Sequence, residues 1–172
     1  PHFHIPLQSG SNDILKKMKR RYLREVYTDR VENIRQVMPH ACIGVDVIVG
    51  SPGETETYFK ESMDFIHALD ISYLHVFTYS ERAATKALDI QPVVPISVRQ
   101  ERNKILRNLS YQKEQYFKAQ HIGATRKVLF ESIKQKDPSQ TPLLEGYTDN
   151  YIRITTPYRA EWSNQIVDWT IA

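Results

Sequence analysis

Stretches of β-branched and apolar residues alternate with helical periodicity over the first half of the chain. Asp46-Val-Ile-Val49, closing an apolar run from Ile43, has the make-up of a buried parallel strand, and Gly50, Pro52 and Gly53 stop it sharply. Thr55 is placed to cap a helix whose Phe59, Met63 and Ile66 recur at i, i+4 and i+7. Upstream, a strand over Phe3–Leu7 leads through Gln8-Ser-Gly-Ser-Asn12 into a helix with Ile14, Leu15 and Met18 on one stripe and Ser11 or Asn12 as its cap. A second stripe, Val26 or Tyr27 with Val31, Ile34 and Val37, ends at Pro39. Downstream, Tyr73-Leu-His-Val-Phe77 predicts a strand that runs into the polar turn Tyr79-Ser-Glu-Arg82. Strands each followed by a loop or helix predict a parallel α/β architecture. Three such units do not close a barrel of about eight, or a partial one of about six. A preceding N-terminal half is therefore expected outside this chain, which begins at Pro1 in the middle of a strand-like stretch.

The pattern changes beyond residue 83. A connector, Ala83 to Pro95, precedes a long helix that Ser97-Val-Arg-Gln100 opens as a capping box. Val98, Arg102, Ile105, Leu109, Gln112 and Tyr116 fall on its stripe, and Gly123 suits its stop. From Ala124 onward polar and apolar residues alternate. Lys127–Glu131, Tyr147 with Tyr151–Thr155, and Gln165–Ile171 predict short strands, with a polar loop over Lys134–Pro142. The expected organisation is half of a parallel βα barrel over 1–95, a bridging helix over 96–123, and a small antiparallel β-barrel over 124–172.

Composition narrows the function classes. With 41% hydrophobic and 25% charged residues the chain reads as globular, and no apolar run approaches the roughly 20 residues of a membrane span. Nothing at the start resembles a signal peptide. The lone Cys42 makes neither an internal disulfide nor a thiolate cluster; a reducing cytoplasm is expected, with Cys42 in packing. The net charge of +3 is uneven: Lys16, Lys17, Lys19, Arg20, Arg21 and Arg24 form one group, and Arg99, Arg102, Lys104, Arg107, Lys113 and Lys118 another. That distribution suits a polyanion such as RNA, and equally two solvated helix faces.

Candidate chemistry gathers at three places. Gln8, Ser9 and Ser11, then Glu54, then Tyr79 and Ser80 follow successive strands, at the end where βα folds bind ligands. Their donors and acceptors suit a ribose or an amino-acid group, and turn and capping roles fit the same residues. His2 and His4 share a strand face and, with Asp46 and His75, predict a His-rich metal site, as in a metal-dependent hydrolase, or else polar barrel-lining residues. In the tail, Tyr147, Tyr151 and Arg153, with Tyr158, Arg159 and Trp162, offer rings and cations for stacking on RNA bases and holding phosphates; core aromatics with solvated charges are the other reading.

Five motifs occur in order: His4-Ile-Pro-Leu-Gln-Ser-Gly-Ser11, Met18-Lys-Arg-Arg-Tyr22, Asp46-Val-Ile-Val-Gly-Ser-Pro-Gly-Glu-Thr55, Leu74-His-Val-Phe-Thr-Tyr-Ser80 and Gly146-Tyr-Thr-Asp-Asn-Tyr151. Over nearly its whole length the chain resembles the C-terminal part of radical S-adenosylmethionine methylthiotransferases. The last motif is most similar to the branch that methylthiolates threonylcarbamoyladenosine beside the tRNA anticodon; the isopentenyladenosine and ribosomal-protein branches are the near alternatives.

The resemblance implies the second half of a radical SAM barrel followed by a TRAM domain, a small RNA-binding β-barrel. It implies S-adenosylmethionine, two iron–sulfur clusters in the full-length protein, a reductant protein and tRNA as partner. In that family one cluster cleaves S-adenosylmethionine reductively and the adenosyl radical abstracts hydrogen from the adenine ring. A second cluster helps deliver sulfur, and a second S-adenosylmethionine supplies the methyl group. By similarity, Gln8 and Ser9 lie near the ribose or methionine part of the cofactor, Arg20 engages its carboxylate, and the Val49–Gly50 backbone and Tyr79 flank adenine. Tyr147, Tyr151 and Arg153 are the expected RNA contacts.

The chain also departs from the family. The CxxxCxxC motif and the N-terminal cluster cysteines are absent, so this stretch alone is expected to bind no cluster, hold no metal and perform no catalysis. A non-catalytic RNA-binding module is the rival reading. Ser51, Thr78 and Leu23 replace the family's common Phe, Pro and Thr, and Trp162-Ser-Asn-Gln165 lacks an expected Gly before the last strand.

Overall fold

Strand β2 (Cys42–Val49) is the centre of a parallel sheet, flanked by β1 (His2–His4) and β3 (Tyr73–Thr78) in the order β1-β2-β3. The structure is a computed structural model that describes residues 1–82, 85–135 and 141–172. The strand period of two sends Ile43, Val45, Val47 and Val49 to one face, where all four are buried beneath α2 (Arg24–Val37) and α3 (Glu56–Ala68). Tyr27 and Val31 come from α2, and Phe59 and Ile66 from α3. The opposite face carries Asp46 and Ile48, half-buried, and the exposed His4, His75 and Phe77. Its registers pair His4 with Gly44 and Asp46 with His75.

The expected first strand is shorter than Phe3–Leu7. Pro6 has no N–H to donate, and beyond β1 the pairing resumes as a single bridge, Gln8 to Val47. Helix α1 (Asn12–Lys17) starts where expected, but the Ser11 hydroxyl donates to Glu61 Oε2 (2.8 Å) instead of capping it. Asn12 caps a different helix: its Oδ1 accepts from Arg24 N–H (2.9 Å) at the start of α2, where Leu23 has no side-chain acceptor. Thr55 caps α3 as expected, accepting from Tyr58 N–H.

Helix α4 (Ile96–Ala119) overturns two expectations. Its N-cap is Pro95, so Ser97 is already inside the helix and no capping box forms. Its buried stripe is Arg99, Arg102, Leu106, Leu109 and Phe117, while Ile105 and Tyr116 are 37% and 67% exposed. Arg102 and Leu109 are buried as the expected stripe has them; Arg99, buried through its ion pair with Glu81, is the member that hydrophobic periodicity missed along with Leu106 and Phe117. The helix covers the free edge of β3: Ser110 Oγ accepts from Leu74 N–H (2.8 Å) and donates to Leu74 O (2.9 Å).

Gly123, with φ +85°, turns the chain after α4 into a four-stranded antiparallel sheet, ordered β6-β5-β4-β7. The strands are β4 (Thr125–Lys134), β5 (Leu143–Thr148), β6 (Arg153–Pro157) and β7 (Gln165–Thr170). The expected continuity of Tyr147 with Tyr151–Thr155 is broken by a turn at Asp149–Asn150, and β5 begins at Leu143, directly after the expected loop; residues 136–140 of that loop lie outside the described residues. The ladder bulges between Phe130 and Ser132, and among the described residues none joins β6 to β7. Before β7, Asn164 takes φ +57° where a Gly was expected, and its N–H donates to Phe130 O (2.7 Å). Phe130, Val128 and Leu144 form the second core, with Cys42 and Phe117 reaching in from the first unit.

Candidate functional site at the strand ends and the domain junction

At the C-terminal ends of the parallel strands, Gln8 adopts φ +73°, a left-handed conformation rare for a long side chain. Strand β2 imposes it: Gln8 N–H donates to Asp46 O (2.8 Å), and Gln8 O accepts from Ile48 N–H (2.9 Å). The side-chain carbonyl then accepts from Arg20 Nη2 (3.0 Å), so two residues assigned to the same cofactor from sequence are in direct contact. Ser9 is buried, and its Oγ accepts from Ser11 N–H (3.2 Å).

The second loop is held from beneath. Gly50 has φ +75°, and a Cβ there would lie 2.2 Å from Arg99 Cγ, so only glycine fits. Its N–H donates to Glu54 Oε1 (2.9 Å), and Val49 O accepts from Tyr79 N–H (2.9 Å), which brings Val49, Gly50 and Tyr79 together. Arg99 donates to Tyr79 O (3.1 Å) and Val94 O (2.7 Å), pairs with Glu81, and lies over the Tyr79 ring. Glu54 is not a rim ligand: it is buried against Arg102 at 2.7 Å. Burial pushes its carboxyl above the usual range, opposed by the Gly50 N–H and Arg102. Arg99 and Arg102 are thereby withdrawn from any polyanion-facing surface.

The rim fits a polar organic cofactor. Ser51 Oγ is buried without a hydrogen-bond partner after Gly50 at the end of β2, and the Gln8 amide with the exposed Arg20 guanidinium follows the neighbouring strand β1. An iron–sulfur cluster does not fit these residues. Cys42 is the chain's single cysteine, it stands at the opposite end of β2, and burial pushes its thiol up to about 11.

Halfway along the strands, His4 Nε2 meets Asp46 Oδ1 at 2.9 Å and the His4 and His75 rings lie 5.3 Å apart. His2, expected in this group, is elsewhere. It shares a hydrogen bond with Tyr73 OH (2.8 Å), stacks on Tyr151 at 4.1 Å, and is lowered in pKa mainly by burial.

Tyr151 lies in the connection between β5 and β6 of the second sheet, so this stack joins the two units at the N-terminal ends of the parallel strands. Tyr147 and Arg153 are direct cross-strand partners, and the Tyr147 and Tyr151 rings stack at 4.8 Å. The three expected RNA contacts therefore lie together, beside a cavity of about 310 Å³ that Tyr73, Phe117 and Lys118 also line. The Gly146–Tyr151 motif has a further task that sequence reading missed. Asn150, fully buried, donates from Nδ2 to His40 O (3.0 Å), while Thr148 Oγ1 donates to Asn150 Oδ1 (2.7 Å) and accepts from Ile152 N–H (2.8 Å). The turn is a dock onto the first unit; an Asx residue in a tight turn was its only sequence signal.

A parallel βα half-barrel with its polar constellation at the strand ends agrees with the profile of the radical SAM superfamily, which matches residues 1–66. The chain is 39% identical over 153 residues to the threonylcarbamoyladenosine tRNA methylthiotransferase MtaB of Bacillus subtilis (strain 168), covering 89% of this chain and 34% of that protein. The MtaB of Aquifex aeolicus (strain VF5) is 44% identical over 129 residues, 75% of this chain and 32% of that protein. A tRNA-2-methylthio-N(6)-dimethylallyladenosine synthase of Acinetobacter baumannii (strain AYE) is 34% identical over 171 residues, 97% of this chain and 34% of that protein. Over most of its length the chain is thus similar to tRNA methylthiotransferases. It spans about a third of the length of the curated relatives it matches. Among solved structures, coproporphyrinogen III oxidase (HemN) of Escherichia coli, a radical SAM enzyme, matches with a TM-score of 0.47 at 17% identity, covering 69% of this chain and 26% of that one.

Proposed function

We propose that this chain is the second half of the catalytic barrel and the RNA-binding TRAM domain of a tRNA methylthiotransferase acting on threonylcarbamoyladenosine next to the anticodon. The observation that carries the reading is the contact of Gln8 with Arg20 at the strand ends, with Gln8 held in a left-handed backbone by β2. Identity does not separate the branches, since the two MtaB proteins are 39% and 44% identical and dimethylallyladenosine synthases reach 39%; what supports the threonylcarbamoyl branch is the Gly146–Tyr151 motif.

In this reading Arg20 holds the carboxylate of S-adenosylmethionine, Gln8 positions Arg20 and the ribose, Ser9 shapes the turn beside them, and the Val49–Gly50 backbone with Tyr79 flanks adenine. S-adenosylmethionine supplies the radical chemistry when a reduced cluster, whose cysteines are not in this chain, is present. The full protein carries two such clusters and takes electrons from a reductant protein, and this stretch alone is inactive. Tyr147, Tyr151 and Arg153 grip tRNA through ring faces and a cation. Among the described residues no helix is long and apolar enough to cross a membrane.

The test is a mass-spectrometric nucleoside profile of total tRNA from cells with and without the full-length gene. Loss of the methylthio form of threonylcarbamoyladenosine, with the unthiolated form accumulating, is the expected result. Loss of the isopentenyl counterpart moves the protein to the sister branch. An unchanged profile overturns the tRNA reading.

A further inference from the structure

The side chains of His4, Asp46 and His75 come from three adjacent strands and project from one face of the sheet, His75 directly beside Asp46 and His4 beside Gly44, two residues earlier on β2. Their nearest nitrogen and oxygen ligand atoms all lie within 4.8 Å of one another. We propose that they form a binding site for a single borderline divalent transition-metal ion of the zinc class, distinct from any thiolate-held cluster.

The geometry suits such an ion. Bonds of about 2.0–2.2 Å from zinc to imidazole nitrogen and carboxylate oxygen, set tetrahedrally, place ligand atoms about 3.3–3.6 Å apart. His4 Nε2 and Asp46 Oδ1, 2.9 Å apart as a hydrogen-bonded pair, reach that edge by parting a few tenths of an ångström. His75 is exposed, and its ligand nitrogen already lies within 4.8 Å of the other two ligand atoms. The parallel registers fix the three backbones, with Asp46 paired directly to His75. Tyr73, lying across Gly44, meets the His75 ring edge-on at 5.1 Å and limits its orientation.

The donor set selects the metal. Two imidazoles and one carboxylate suit zinc, cobalt or ferrous iron over calcium or magnesium, which take all-oxygen sites. Charge points the same way: among the described residues Asp46 pairs with no Lys or Arg, and its only ionic partner is His4. Three protein ligands leave further coordination positions, and these face the open side of the sheet, where water or a nitrogen or oxygen donor has access.

The test needs the metal alone. The 172-residue chain, stripped with chelator, is titrated with Zn²⁺ by calorimetry and with Co²⁺ by visible absorption. One ion per chain is expected, with ligand-field bands of a nitrogen–oxygen site for cobalt. His4→Ala, Asp46→Asn and His75→Ala are each expected to weaken binding at least ~10-fold. His2→Ala, on the same strand but turned to Tyr73 and Tyr151, is expected to leave affinity within about twofold. Far-ultraviolet circular dichroism checks the fold of each variant; His75→Gln serves if His75→Ala loses helix signal. Absence of saturable binding overturns the proposal, as does binding that survives both His4→Ala and His75→Ala, or that is lost equally in His2→Ala. None of these outcomes touches the methylthiotransferase reading, which the tRNA profile tests separately.

Discussion

Arg102 Nη1 lies 2.7 Å from Glu54 Oε1, and the two side chains are 6% and 3% exposed. Glu54 also accepts the Gly50 N–H, so this one pair fastens the turn after β2 to α4. Replacing such a pair with apolar groups is often neutral, but removing one partner strands a buried charge. Arg102→Ala is therefore expected to cost about 3–5 kcal/mol. Pairing Arg102→Met with Glu54→Gln, which keeps an acceptor for Gly50, is expected to restore much of it. Urea denaturation followed at 222 nm compares the three proteins.

The same carboxyl predicts a pH dependence. Its folded pKa is raised by burial, so the folded state binds its proton more tightly than the unfolded state does. That contribution to stability is fully present below the unfolded value of 4.5 and fades as pH rises through the higher folded value. Glu54→Gln removes the titration. The stability of the parent relative to Glu54→Gln is expected to fall as pH rises from the low fours, in melts run pairwise; a constant difference contradicts it.

Tyr151 joins the two units by stacking on His2, and it does so from φ +66°. Losing a stacked pair costs about 0.5–1.5 kcal/mol. Tyr151→Ala keeps the left-handed strain without the stack, whereas Tyr151→Gly relieves the strain. The glycine variant is expected to be the more stable of the two. Trp162 and Trp169, both packed against the second core, report that unit by fluorescence, while circular dichroism reports the helices of the first. Separation of the two melting curves in Tyr151→Ala is the expected signature.

Arg20→Ala in the full-length enzyme is expected to weaken S-adenosylmethionine binding by about 1.5–3 kcal/mol, the worth of a charged hydrogen bond. Gln8→Ala acts partly through Arg20, so the double variant is expected to lose less than the sum of the two. Equilibrium dialysis measures each.

Cys42 is buried, with its thiol pushed up to about 11. Alkylation at pH 8 is expected to be slow in the native chain and fast in denaturant. Rapid native labelling shows that the junction between the units opens readily.

How far the sequence reaches depends on the kind of interaction. Alternation and turn residues identify β2, α3 and β3 because a buried strand and an amphipathic helix announce themselves by period. Arg99 defeats that logic, since a charge buried by a partner from a distant loop reads as a surface residue; Arg102 falls on the expected stripe, but its buried partner Glu54 reads as a rim residue. Asn12 and Ser11 are recognisable as capping types, yet which helix Asn12 caps is set by tertiary proximity, 12 residues away. At the rim, Gln8 and Arg20 were named separately for one ligand, and the structure adds their contact. The docking role of Asn150 onto His40, |i−j| of 110, has no local signature.

The two ends of β2 carry different things: the turn with Gly50 at one, and the contacts to Tyr73 and Tyr151 at the other. The steps of about 3.3 Å between its eight residues make the strand a rigid gauge of roughly 23 Å from first to last. An RNA that presents one base to the rim and rests on Tyr147 must bridge that interval, about seven stacked nucleotides at ~3.4 Å apiece. Target choice in the proposed enzyme is then partly a matter of length: a strand-sized ruler measures how far the modified base lies from the part of the RNA that is held.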